Sequence, residues 1–135
     1  MYLELIWNGL VKAFEILITL DPEVLEVSWL TLKVSGTATL ISVIIGVPLG
    51  SLLALSRFTG RNFLVSLSNF GMGLPPVVVG LWVSIFLWRS GPLGFLNIIY
   101  TPTAMIIAQA IIASPIVISF TLAAIQQINP RLRLQ

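Results

Sequence analysis

Long uncharged stretches dominate the chain after residue 33. Residues 34–55 and 62–88 contain no acidic or basic side chain, and a further uncharged stretch follows residue 89. At the helical rise of about 1.5 Å per residue, each stretch is long enough to cross a hydrocarbon core of about 30 Å. The pattern predicts transmembrane helices at about 29–56, 62–89 and 101–126. The last is predicted to begin at Thr101-Pro102, a favourable N-cap and first-turn pair.

The N-terminal segment has a different pattern. At 100° per residue, the polar positions of residues 3–20 fall within one stripe, and apolar and aromatic residues occupy the rest of the surface. The stripe consists of Glu4, Asn8, Lys12, Glu15 and Thr19. This is typical of a helix that lies in the membrane interface, although a short packed span is the alternative. An acidic connection follows at residues 21–27, and its Asp21 and Pro22 suit the start of the next helix. The amphipathic helix and this connection form a predicted N-terminal region, residues 1–27. The predicted membrane region is residues 28–135.

The first long uncharged stretch carries a small residue at every fourth position. Side chains four apart share one face of a helix, and small ones let a second helix backbone approach closely. The alternative is that small residues are simply frequent in membrane helices. Five in register favour a packing face, formed by Ala38, Ser42, Gly46, Gly50 and Ala54.

The second stretch contains two adjacent prolines in the segment GMGLPPVVVG, residues 71–80. Pro75 and Pro76 have no N–H to bond the carbonyls of Gly71 and Met72, so the sequence predicts a broken helix in which both of these acceptors lack a partner. In lipid, such backbone is tolerated only where protein or water shields it. One interpretation is a kink that only shapes packing. The second is a translocation path or gate, with an electropositive half-helix end that suits an anion and with the candidate residues Asn69, Gly71, Gly73, Pro75, Pro76 and Gly80.

Composition narrows the function further. Hydrophobic residues make up 57% of the chain and charged residues 9%, which indicates an integral membrane protein of all-α class. There is no Cys or His, and every acidic residue precedes residue 27, so the sequence predicts no catalytic group, metal site or cofactor and no carboxylate-lined cation path. A net charge of +2 gives no indication of nucleic-acid binding.

The basic residues give a weak indication of orientation. Cytoplasmic segments are enriched in Lys and Arg. The predicted inner side carries Arg57, Arg61, Arg131 and Arg133, and the predicted outer side carries Lys12, Lys33 and Arg89.

Three segments together resemble the permease subunit of a prokaryotic ABC importer, of the tungstate type and similar to molybdate and sulfate permeases. They are VSGTATLISVIIGVPLGSLLALSRFTGR, GMGLPPVVVGLWVSIFLWRSGPLG and TPTAMIIAQAIIASPIVISFTLAAIQQINPRLR. The resemblance implies a type I importer permease fold, present here only in its N-terminal portion, in a multi-pass protein of the cytoplasmic membrane. It also implies three protein partners: a second permease copy, a separate ATPase subunit that hydrolyses ATP, and an extracytoplasmic oxyanion-binding protein. Membrane lipid is expected to surround the chain.

The sequence lacks one element that the family has. The family has an ATPase-coupling segment with an EAA-type motif after the third span, and this sequence ends at Gln135, with Leu134 where an acidic residue is expected. The expectation is therefore a partial permease that depends on a separately encoded C-terminal half, or a nonfunctional remnant. The sequence is also compatible with a small membrane scaffold and with a permease for another substrate class, such as phosphate or an amino acid.

Overall fold

A computed structural model describes residues 1–128, and these residues contain helices and turns without a β-strand. The elements are α1 (Tyr2–Ile18), α2 (Pro22–Leu55), α3 (Arg61–Met72), α4 (Pro76–Leu87), a short 3₁₀ helix (Gly94–Leu96) and α5 (Pro102–Gln127). The all-α class predicted from the sequence is confirmed. The predicted cytoplasmic turn with Arg131 and Arg133 lies outside the described residues.

Two helix starts follow from local hydrogen bonding. Pro22 is the first residue of α2, and the Asp21 carboxylate accepts a hydrogen bond from the Glu23 N–H at 2.9 Å. Pro102 is the first residue of α5, and the Thr101 hydroxyl accepts from the Ala104 N–H at 3.4 Å. In both cases a side-chain oxygen satisfies an amide that has no partner inside the helix, and proline occupies the position where its missing N–H has no cost.

Helix α2 begins earlier than predicted. The sequence placed its start near residue 29 and treated residues 21–27 as a connection, but the helix already includes Glu23 and Glu26. Acidic side chains in the first turns interact favourably with the positive end of the helix dipole, and proline sets the first dihedral angle. The acidic segment is therefore helical.

The chain divides into two compact units, Met1–Lys33 and Val34–Gln135. In the first unit, α1 has no buried residue, and Trp7, Phe14 and other apolar side chains are exposed around it. In the second unit, α3 and α4 both pack against α5.

Small side chains bring α2 and α5 together within the second unit. Ser42 is fully buried, and its hydroxyl donates to the Ala38 carbonyl at 2.8 Å and approaches the Ala110 carbonyl of α5 at 3.3 Å. A Cβ atom added at Gly46 would lie 2.7 Å from Val117, and one added at Gly50 would lie 2.7 Å from the Ile118 carbonyl oxygen. The two backbones are thus too close for any larger side chain at these positions.

Two helices, α2 and α5, are long and apolar enough to cross a membrane. Helices α3 and α4 reach that length only as a pair, and they are bent by 104° at the break between them, so the described residues provide two or three spans. Many large apolar side chains are exposed along all of these helices. This surface suits a hydrocarbon surrounding and would be unstable in water.

Candidate functional site at the helix break

The break occupies residues 73–75, between α3 and α4. The Gly73 N–H donates to the Phe70 carbonyl at 3.0 Å, which tightens the last turn of α3. Pro75 then adopts an extended conformation, with φ −61° and ψ 133°, and α4 starts at Pro76. An extended residue ends the helical path, and the direction of the chain changes by 104°.

The carbonyls of Gly71 and Met72, to which the prolines cannot donate a hydrogen bond, have different surroundings. The Gly71 carbonyl accepts from the Leu74 N–H at 3.4 Å, so the expectation that it lacks a partner is wrong. The tighter turn supplies that hydrogen bond. The Met72 carbonyl is the one that residue 76 would have bonded in a continuous helix, and Pro76 has no N–H to give.

Gly71 fixes the position of the break against α5. A Cβ atom at residue 71 would lie 2.7 Å from the Pro115 Cγ atom, closer than real side chains approach each other. Pro115 lies near the middle of α5, which runs through it without interruption. Because Gly71 has no side chain, the end of α3 can pack closely against the middle of α5.

A side-chain contact reinforces this packing. Asn69 on α3 lies beside Ser119 on α5, whose hydroxyl donates to the Asn69 amide oxygen at 3.4 Å. Ser114 bonds its own helix instead, donating to the Ala110 carbonyl at 2.6 Å, as is usual for serine within helices. Ser119 was not selected from the sequence, because only the folded chain shows which face of α5 meets α3.

The remaining candidate residues do not converge on one point. Gly73, Pro75 and Pro76 are exposed, so the described residues of this chain do not cover the break. Gly80 is half-buried, and a Cβ atom there would have no neighbour within 4 Å. The candidate site thus consists of a vertex, residues 73–76, of which Gly73, Pro75 and Pro76 are exposed, and a support in which Asn69 and Gly71 contact α5.

The first turn of α4 is electropositive. No side chain caps it, and the Val77 N–H has no hydrogen-bond partner among the described residues. The dipole of a helix of this length adds partial positive charge at the same end. An anion that reached the vertex would be attracted there.

An apolar groove of about 540 Å³ lies next to the vertex, between α4, the 3₁₀ helix and the first half of α5. Its walls include Leu74, Trp82 and Ile107, and they present almost no polar atom. A hydrated anion has no partner in such a groove, which instead suits hydrocarbon. The sequence indicated apolar helices but not this concave surface, which depends on the bend.

The comparison with known proteins identifies the class of protein. Residues 46–134 match the family described as "Binding-protein-dependent transport system inner membrane component". The chain belongs to this family and is a multi-pass protein of the inner membrane. The resemblance to importer permeases expected from the three sequence segments is confirmed.

Individual relatives give a finer comparison. The chain is 41% identical over 119 residues to the tungstate uptake system permease protein TupB of Peptoclostridium acidaminophilum, covering 88% of this chain and 52% of the relative. It is 39% identical over 108 residues to a probable anion ABC transporter permease protein of Haloferax volcanii, covering 80% and 47%. The sulfate transport system permease protein CysW of Escherichia coli K12 is more distant, at 29% identity over 104 residues, 73% of this chain and 36% of the relative.

The chain therefore spans about half the length, or less, of these relatives. No solved structure gives a significant match.

Proposed function

We propose that this chain forms the N-terminal membrane part of an ABC importer permease for tungstate or a related tetrahedral oxyanion. The observation that carries the proposal is the broken helix, with the vertex at residues 73–76 and the electropositive start of α4. The similarity to permeases named for tungstate, anions and sulfate supports the substrate class.

We propose further that α3 and α4 together form one broken span, which gives three spans in all. Arg61 at the start of α3 lines the same cleft as Gln126 at the end of α5. Trp88, just after α4, packs edge-on against Tyr100 before α5, with ring centroids 6.4 Å apart. The pair thus begins at one end of α5 and finishes at the opposite end, which favours a crossing over a re-entrant loop.

The vertex lines the translocation path in this proposal. Irregular backbone at half depth needs shielding, and the described residues leave Gly73, Pro75 and Pro76 exposed. We infer that the shielding comes from the water-filled path together with the rest of the permease, including a second copy. The oxyanion then passes the positive end of α4, and residues 27–135, which include both half-helices, contain no Asp or Glu to oppose it.

Energy and substrate delivery come from other chains in this proposal. A separate ATPase subunit hydrolyses ATP, and an extracytoplasmic binding protein delivers the oxyanion. The part of the permease equivalent to the second half of the relatives supplies the coupling segment. Helix α1 lies in the membrane interface, with its polar stripe towards water; its exposed apolar side chains and the absence of buried residues support this position.

Reconstituted uptake tests the proposed function. We expect cells that express this chain with the second half of a tungstate permease, its ATPase and its binding protein to take up tungstate in an ATP-dependent manner. Omission of this chain should reduce uptake to background, and excess molybdate should compete where phosphate does not. Absence of uptake with every component inserted and stable would contradict the proposal.

A further inference from the structure

A polar cleft lies far from the helix break, at the turn between α2 and α3. It has a volume of about 850 Å³ and is lined by residues 54–62 and by Gln126 near the end of α5. In contrast to the groove beside α4, its walls are mainly polar. It contains two arginines, Arg57 and Arg61.

Arg61 is held in place by the end of α2. Its Nε donates to the Leu53 carbonyl at 2.6 Å, and the side chain is half-buried. This bond uses one of the five N–H groups of the guanidinium, and the remaining four have no partner among the described residues. Arg57 lies in the same turn and is exposed, so the cleft carries one anchored guanidinium and one that no described residue anchors.

No carboxylate of the described residues pairs with either of these arginines. The sequence has no Asp or Glu after Glu26, and neither arginine forms an ion pair among the described residues. Two neighbouring cations that have no carboxylate partner favour the binding of an anion from outside the chain. A guanidinium presents N–H groups in a planar fork that matches the oxygens of a phosphate.

The position of the cleft indicates where that anion comes from. The cleft joins the end of α2 to the start of α3 and the end of α5, and both α2 and α5 are of membrane length. Ends of such helices lie at the level of the lipid headgroups, where basic pockets between helices bind anionic lipid. A headgroup reaches this site by lateral diffusion within its own leaflet.

We propose that the cleft binds the phosphate of one anionic phospholipid, which holds the α2–α3 turn at the membrane surface. Arg61 contacts the phosphate from its fixed position, and Arg57 closes over it. Lipid binding at this cleft does not depend on the transported substrate.

Native mass spectrometry of the purified full chain tests the proposal. The chain is released from detergent after titration with phosphatidylglycerol or with phosphatidylcholine of the same acyl chains. We expect one phosphatidylglycerol to be retained in preference to phosphatidylcholine. Arg57→Gln should weaken its retention about fivefold, the change expected when one arginine contact at a membrane surface is lost.

Matched variants separate charge from geometry. Arg57→Lys should keep most of the retention. Arg61→Lys should lose part of it, because lysine has its three donors on one nitrogen and cannot bond Leu53 while presenting a second, separate N–H group to the phosphate. Arg89→Gln removes an exposed arginine outside the cleft and should leave retention unchanged. Circular dichroism confirms that each variant is folded.

Several results would overturn the proposal. One is equal retention of the two lipids, and another is an equal loss in Arg57→Gln and Arg89→Gln. Displacement of the lipid by millimolar inorganic phosphate or tungstate would identify a site for a free anion. If Arg57→Gln left lipid retention unchanged but abolished co-purification of the ATPase subunit, the cleft would be a protein-docking surface.

Discussion

Replacement of Pro75 and Pro76 by alanine is expected to join α3 and α4 into one continuous helix. The two new N–H groups would lie in register with the carbonyls of Gly71 and Met72, and each unsatisfied backbone group costs several kcal/mol in hydrocarbon. The distance between residues 63 and 85 should then increase from about 20 Å, for two half-helices bent by 104°, to about 33 Å for a straight helix. In the reconstituted permease we expect uptake to fall at least about tenfold, since the vertex is lost.

Spin labels at residues 63 and 85 report this distance directly. Phe63 and Ile85 are exposed, and the native chain has no cysteine, so single sites can be labelled cleanly. The control is Pro48→Ala, which removes an exposed proline from α2, a helix that is already continuous. The control should leave the label distance unchanged. A double variant that kept the short distance would show that the prolines do not cause the break.

Replacement of Gly50 by leucine is expected to destabilise the contact between α2 and α5. A Cβ atom at residue 50 would lie 2.7 Å from both the Ile118 carbonyl oxygen and the Thr121 Cβ atom. A backbone atom cannot move aside as a flexible side chain does, so the helices must separate. Overpacking of this kind costs about 1–3 kcal/mol and also removes neighbouring contacts such as the Ser42 hydrogen bond to α5.

Reversible unfolding in mixed micelles, followed by circular dichroism, measures this loss. Gly36→Leu is the matched control on the same helix, because Gly36 is exposed and a Cβ atom there has no neighbour within 4 Å. The control should be neutral or slightly stabilising, since glycine disfavours helix by about 1 kcal/mol relative to leucine. Equal effects of the two substitutions would contradict the close packing of α2 on α5.

Local chemistry allowed several features to be predicted from the sequence. The start of α5 depends on a side-chain oxygen and a following proline, Thr101 and Pro102, which are adjacent in the chain. The break at residues 73–75 likewise follows from two missing N–H groups. Single prolines behaved differently, because α2 and α5 run through Pro48 and Pro115 without interruption. One missing hydrogen bond is tolerated, whereas two adjacent ones flanked by glycine end the helix.

Features that depend on tertiary packing could not be predicted from the sequence. Hydropathy marks where a helix enters hydrocarbon, not where it begins, so the start of α2 was placed too late. The 104° bend and the contact between Gly71 and Pro115 depend on how three helices fit together. The small-residue face was selected by periodicity alone; in the structure its member Ala54 is half-buried while its neighbour Leu53 is buried.

The central claim is that α3 and α4 together cross the membrane once, with the break at half depth. Single cysteines at Thr59 and Ser90, labelled with a membrane-impermeant maleimide in intact cells and in inverted vesicles, test it most directly. The proposed structure predicts that position 59 reacts only from the cytoplasmic side and position 90 only from the outer side. Reaction of both positions from the same side would show a re-entrant loop and would contradict the broken span.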